Sequence, residues 1–256
     1  MNLLWLDKYE RQARLVPGLL ALLPVAVTVT ALGLREAPVV SVVISLLSLA
    51  GGPVLLADTV RSLGLKAQEG LWASWGSAPT TLALRLREGT SNEVQRDIWR
   101  AAVQKITGIQ LASGRSESGN PERADQAIDA AVSRVRELTR DDQRFYIVQA
   151  ENRGYGFRRN FYAMRTLGCL VAFLGLITIL GFALWPVIGG EQPDVQAGYV
   201  LGFVVDALIA LGWYLLPSSG RVRQAGDKYA YQLLQAAVTL AADTTESQTP
   251  AGGQTQ

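Results

Sequence analysis

Asp206 is the only charged residue in the apolar run 195–217. A carboxyl group at the centre of a membrane-length helix costs at least ~2.5–3.5 kcal/mol, so such a residue turns toward protein or a wet path and away from lipid. Steps of four align it with Gly198, Gly202 and Ala210, and Gly198-x-x-x-Gly202 is a spacing that lets two helices approach closely. Thr178 in the run 166–189, and Ser45 and Ser48 in the run 37–57, are the hydroxyls at similar depth expected to meet it. No Lys or Arg lies within these runs, so an internal salt bridge is not on offer. Three roles fit: hydrogen-bonded glue between helices, an ion or proton path, and self-association through the glycine face.

Two further groups have chemistry in their spacing. Arg153, Arg158, Arg159 and Arg165 cluster just before the run 166–189, where guanidinium groups can hold lipid phosphates or a nucleotide at ~1 kcal/mol each, or simply anchor the topology. Trp72 and Trp75 precede Gly-Ser-Ala-Pro and then Thr80 and Thr81, a combination that suits a recognition loop or a structural turn tying two tryptophans into a core. The stretch from Gly114 to Asn120 contains glycine but lacks the G-x-x-x-x-G-K-[ST] pattern of a phosphate loop. The chain has no His and a single cysteine, Cys169, which removes an intrachain disulfide, the common His/Cys zinc sites and Ser-His-Asp or Cys-His catalysis. No cofactor or metal is expected, and a net charge of +2 gives no case for nucleic acid.

The elements that position these residues follow from length and charge. Four stretches, 15–34, 37–57, 166–189 and 195–217, each reach the roughly 20 apolar residues that a helix needs to cross the hydrocarbon core. The expected fold is therefore all-α: an integral membrane protein with four transmembrane helices in two hairpins and an α-helical cytosolic domain, 58–165, between them. Of 24 Lys and Arg residues, only Arg35 falls in a loop assigned to the outside, so the N- and C-termini are expected in the cytoplasm. Trp185 and Tyr199 then mark the outer interface, and Trp213 and Tyr214 the inner one. The segment 1–16 mixes apolar and charged residues and reads as a short interfacial helix that turns into the first span, or as a helix packed on the cytosolic domain.

Within 58–165, a helix is expected to leave the membrane and end at Trp75, followed by an extended piece at 80–87. Thr90-Ser-Asn-Glu93 has the form of a capping box, with Val94, Ile98, Ala102 and Ile106 as the apolar stripe behind it. Residues 114–120 read as a polar loop. Asn120 caps and Pro121 opens the next helix, whose stripe is Ala124, Ile128, Ala131, Val135 and Leu138. A further helix from Asp141 is expected to break at Gly154-Tyr-Gly156. After the last span, 218–242 reads as an amphipathic helix with Tyr229, Leu233, Ala236 and Leu240 on one side, and 243–256 as a disordered tail.

This layout of two spans, a cytosolic domain and two more spans resembles the four-span membrane effectors of bacterial anti-phage systems, a resemblance of architecture that no motif carries. Twenty arginines against four lysines suit a GC-rich bacterial genome, and the inner membrane is the expected location. The resemblance implies a non-enzymatic sensor or effector whose cytosolic helices bind a protein or small molecule and whose spans respond by oligomerising or opening. The alternatives are a small transporter or channel subunit with Asp206 in its path, and an enzyme acting at the membrane surface.

Overall fold

The computed structural model describes residues 7–34, 37–49, 51–87, 92–193 and 195–248. Among them every regular element is helical: a π-helical turn Glu10–Leu15, then α1 (Val16–Ala31), α2 (Pro38–Leu49), α3 (Gly52–Trp75), α4 (Pro79–Leu84), α5 (Glu93–Thr107), α6 (Gly114–Gly119), α7 (Pro121–Leu138), α8 (Tyr146–Ala163), α9 (Arg165–Ile188), α10 (Ala197–Leu215) and α11 (Ser219–Gln248). The chain divides into two units, Met1–Glu69 with Gly156–Val222 and Gly70–Tyr155 with Arg223–Gln256. Each division point falls inside a helix, so α3, α8 and α11 hold residues of both.

The first unit carries the apolar helices. Among the described residues, three helices are long and apolar enough to cross a membrane: Glu10–Ala31, Arg165–Ile188 and Ala197–Leu215. At 1.5 Å per residue they extend about 28–36 Å, which matches a hydrocarbon core of about 30 Å. The segment before α1 is not a separate helix that turns inward. It runs without interruption into α1 through the π turn, with Ala13 and Leu15 buried, while residues 1–6 lie outside the described set. Pro24 sits inside α1 without ending it.

The second apolar run departs from a single crossing helix. Gly51 adopts φ +80°, a left-handed conformation open to glycine, and Pro53 cannot supply an N–H to a helix running through it. The run is therefore split between the twelve residues of α2, about 18 Å long, and the first turns of α3. Ala21, Val60, Met164 and Trp213 form the core of the unit, bordered by Leu20, Leu56, Phe161, Cys169 and Ile209. Trp213 is a core residue whose ring stacks at a tilt on Phe161, 4.6 Å between centroids. Tyr214 and Trp185 are exposed.

The second unit is built from amphipathic helices. Asn120 accepts a hydrogen bond from the Arg123 N–H at 3.1 Å and Pro121 opens α7, which buries Ala124, Ile128, Ala131 and Val135. Leu138 lies at the edge of that stripe, partly exposed. Other expectations fail here. Residues 79–84 are helical, not extended; 114–119 form the short α6, not a loop; and α8 runs straight through Gly154 and Gly156. The cap of α5 is Asn92, whose side chain takes the Gln95 N–H at 2.9 Å; Thr90 and Ser91 of the expected capping box lie outside the described residues. Val94 and Ile98 are exposed, and α5 buries Arg96, Arg100, Ala102 and Val103. Along α11, Tyr229, Leu233 and Ala236 are buried as expected, but the helix continues six residues past Ala242, and Asp243 pairs with Arg144 at 2.5 Å. The expected tail is thus helical through Gln248; the remainder lies outside the described residues.

Candidate functional site

The three membrane-length helices meet at Asp206. Its side chain, on α10, is fully buried, and the Thr28 hydroxyl of α1 donates to Oδ2 at 3.0 Å. Gly175 of α9 closes the third side: a Cβ there would stand 2.5 Å from Asp206 Oδ2 and 2.6 Å from Thr28 Oγ1. Oδ1 is buried with no hydrogen-bond partner among the described residues. The small-residue face serves the same junction, since Gly198 and Gly202 abut Ala31 of α1 closely enough that a Cβ at Gly202 would overlap the Ala31 side chain. An interhelical hydrogen bond and close backbone approach therefore act together on the α1–α10 seam.

Two of the hydroxyls expected to meet Asp206, those of Thr178 and Ser45, do not. Thr178 donates to the Leu174 carbonyl of its own helix at 2.8 Å and is exposed. Ser45 is exposed, and the Ser48 side chain lies outside the described set. The sequence placed Asp206 at a helix junction but did not say which helix faces it. Thr28, four residues beyond Pro24 in the first run, carries no mark of its own.

The four arginines divide between the two units. In the first unit, Arg159 is buried, donating to Gln68 Oε1 at 2.6 Å and to Asn160 Oδ1 at 3.2 Å. Arg165 donates to the Tyr214 carbonyl at 2.9 Å with its guanidinium 5.3 Å from that ring's centroid. Arg158 alone of these is exposed. In the second unit, Arg153 is buried and bonded to Asp142 at 2.9 Å. Three of the four are thus committed to holding helices in place.

The proposed recognition loop is likewise consumed by structure. Trp72 Nε1 donates to the Tyr155 hydroxyl at 3.1 Å, and the Arg223 guanidinium lies 5.2 Å from the Trp75 ring centroid. Thr80 and Thr81 are buried in α4, and the Thr81 hydroxyl donates to Asp129 at 2.6 Å.

Sequence reasoning missed the most highly charged interior of the second unit. Arg85 and Arg87 lie on either side of Leu86 in the bend that follows α4, and both bond Asp125: Arg85 Nη2 at 2.7 Å and Arg87 Nη2 at 2.8 Å. Glu117, fully buried, accepts through Oε1 from the Leu86 N–H at 2.9 Å and the Arg87 N–H at 3.2 Å. Arg100 stands 3.7 Å from Glu117 Oε2 and donates to the Leu84 carbonyl at 2.5 Å and to the Ala112 carbonyl. Burial works to raise the Asp125 carboxyl, but hydrogen bonds from Arg87 and Arg85 outweigh it and hold the group below the ordinary carboxylate range. Burial lowers the Arg100 guanidinium from its usual value despite the attraction of Glu117. The available signal was the Arg-Leu-Arg triplet together with Asp125 and Asp129 one turn apart on α7. This ionic network pins α4, α5, α6 and α7 to one another and leaves Asp125 saturated with donors.

Comparison of the chain with models of known protein families, with curated proteins and with solved structures finds no match.

Proposed function

We propose that the protein is a non-enzymatic membrane sensor or effector with four crossings, both termini and the helical second unit lying on the cytoplasmic side. The fourth crossing in this reading is α2 continued by the first turns of α3. The one-sided distribution of Lys and Arg supports the orientation. The observation that carries the reading is the seam itself: the three membrane-length helices close on a single buried Asp206–Thr28 contact backed by Gly175. A closed seam whose polar part is one hydrogen bond beside small-residue packing suits a resting state that an input can open. The route for that input is covalent, because α3, α8 and α11 each carry residues of both units.

A second reading, an ion or proton path through Asp206, draws on the buried Oδ1 that has no partner among the described residues. Liposomes holding the parent or Asp206→Asn, loaded with a pH-sensitive dye and a self-quenching dye, separate the two. The effector reading expects both proteins to be equally tight to protons and dye at rest. Steady proton or cation flux through the parent, lost in Asp206→Asn at unchanged oligomer size, would overturn it in favour of the path.

A further inference from the structure

We propose that the turn Glu10–Leu15 is a register switch for the first span, held in its wide π form by Asn160; the inference rests on α1 being a membrane crossing. The turn is defined by the Val16 N–H bonding the Arg11 carbonyl, five residues back instead of four. Single π turns within helices recur at functional sites because they carry one residue more than the α-helix around them. Pro17 explains why the turn is here. In an α-helix the Ala13 carbonyl takes the N–H of residue 17, and proline has none. Asn160 of α8 supplies the donor instead, its Nδ2 reaching the Ala13 carbonyl at 2.6 Å.

Asn160 is itself rigidly placed. It is fully buried, its Oδ1 accepts from Arg159 Nε at 3.2 Å, and Arg159 is tied to Gln68 of α3. Gly64 of α3 has no side chain to keep that amide out: a Cβ there would overlap Oδ1. Gly156 makes the matching space for Tyr9, whose hydroxyl would stand 2.6 Å from a Cβ at that position. Two helices, α3 and α8, thereby grip one turn of a third.

Rewinding the turn as α-helix shifts α1 by one residue, about 1.5 Å along its axis and about 100° around it. A rotation of that size carries Thr28 off Asp206 and Ala31 off Gly202. The Asn160 amide and the Asp206 carboxyl are then two ends of one bistable element, and whatever moves α3 against α8 acts on the seam through Asn160.

Disulfide trapping reads this directly. In a Cys169→Ala background, Thr28→Cys and Asp206→Cys are introduced together, and cross-linking by copper phenanthroline is measured in native membranes. The pair should cross-link efficiently, since the parent side chains are 3.0 Å apart. Pro17→Ala restores the missing N–H and should lower the yield at least fivefold, and Asn160→Leu should lower it in the same direction. Adding Asn160→Leu to Pro17→Ala should change nothing further, because the turn no longer depends on the amide. Pro17→Ala carries the test if Asn160→Leu fails to accumulate. Equal yields in the parent pair and the Pro17→Ala pair, or additive losses in the double variant, would overturn the proposal. The cross-link reports α1 against α10 whichever side of the membrane the second unit faces, so its outcome is independent of the topology.

Discussion

Asp206 and Glu117 are both fully buried acids, yet the two regions that hold them solve the problem in opposite ways. Glu117 is enclosed by backbone N–H groups and by Arg87 and Arg100, in a network extended through Asp125 and Arg85. Asp206 has one hydroxyl. A network of buried opposite charges is costly to break, because removing one member strands the others without solvent. A lone acid against a hydroxyl has a single interhelical hydrogen bond, a kind that averages only ~0.6 kcal/mol in membranes. The helices of the second unit are thereby tied at several charged points, whereas the polar part of the first unit's seam is one hydrogen bond beside small-residue packing.

The comparison predicts a steep hierarchy of effects. Glu117→Leu removes the acceptor for two backbone N–H groups and the counter-charge for two arginines, so it should cost about 3–5 kcal/mol in chemical unfolding followed by tryptophan fluorescence. A loss below about 1 kcal/mol would show that the network contributes little and that the contrast between the units is unfounded.

An intermediate effect is expected from acid. The native Asp125 carboxyl titrates below its ordinary value, so its contribution is fully present above the unfolded-state pKa of ~3.9 and disappears as pH falls through the lower native value. Stability of the parent should therefore decline more steeply than that of Asp125→Asn as pH is lowered from 5 to 3. Parallel declines would mean that Arg85 and Arg87 do not discriminate between the charged and neutral group.

The smallest effect belongs to the seam. Interhelical hydrogen bonds in membranes average ~0.6 kcal/mol, and Thr28→Val should cost no more than about 1 kcal/mol in detergent unfolding while the oligomer size stays the same. A loss as large as that of Glu117→Leu would make the contact a structural lock and remove the basis for a responsive seam.

What was legible in the sequence divides along the same line. Lengths of uncharged sequence marked the three membrane-length helices, because in lipid a helix is specified by composition alone. The run 37–57 reads as one helix by length and composition, but the left-handed backbone at Gly51 divides it. In the second unit, α7 followed its period of 3.6 because its buried face is aliphatic. The stripe on α5 held at Ala102 but not at Val94 and Ile98, which are left outside while Arg100 goes inward to meet carbonyls and Glu117. Similarly, Asp206 announced itself by its cost, while Thr28, Gly175 and Asn160 matter only through which helix lies beside them, and no local pattern encodes that.

The proposed cytoplasmic placement of the second unit can be tested from outside the cell. Single cysteines at Ser116 and at Gln192, in a Cys169→Ala background, can be probed in intact cells with a membrane-impermeant maleimide. Position 192 should label strongly, and position 116 not at all until the membrane is permeabilised. Labelling of position 116 from outside, with position 192 protected, would contradict the orientation and the placement of a sensing unit in the cytoplasm.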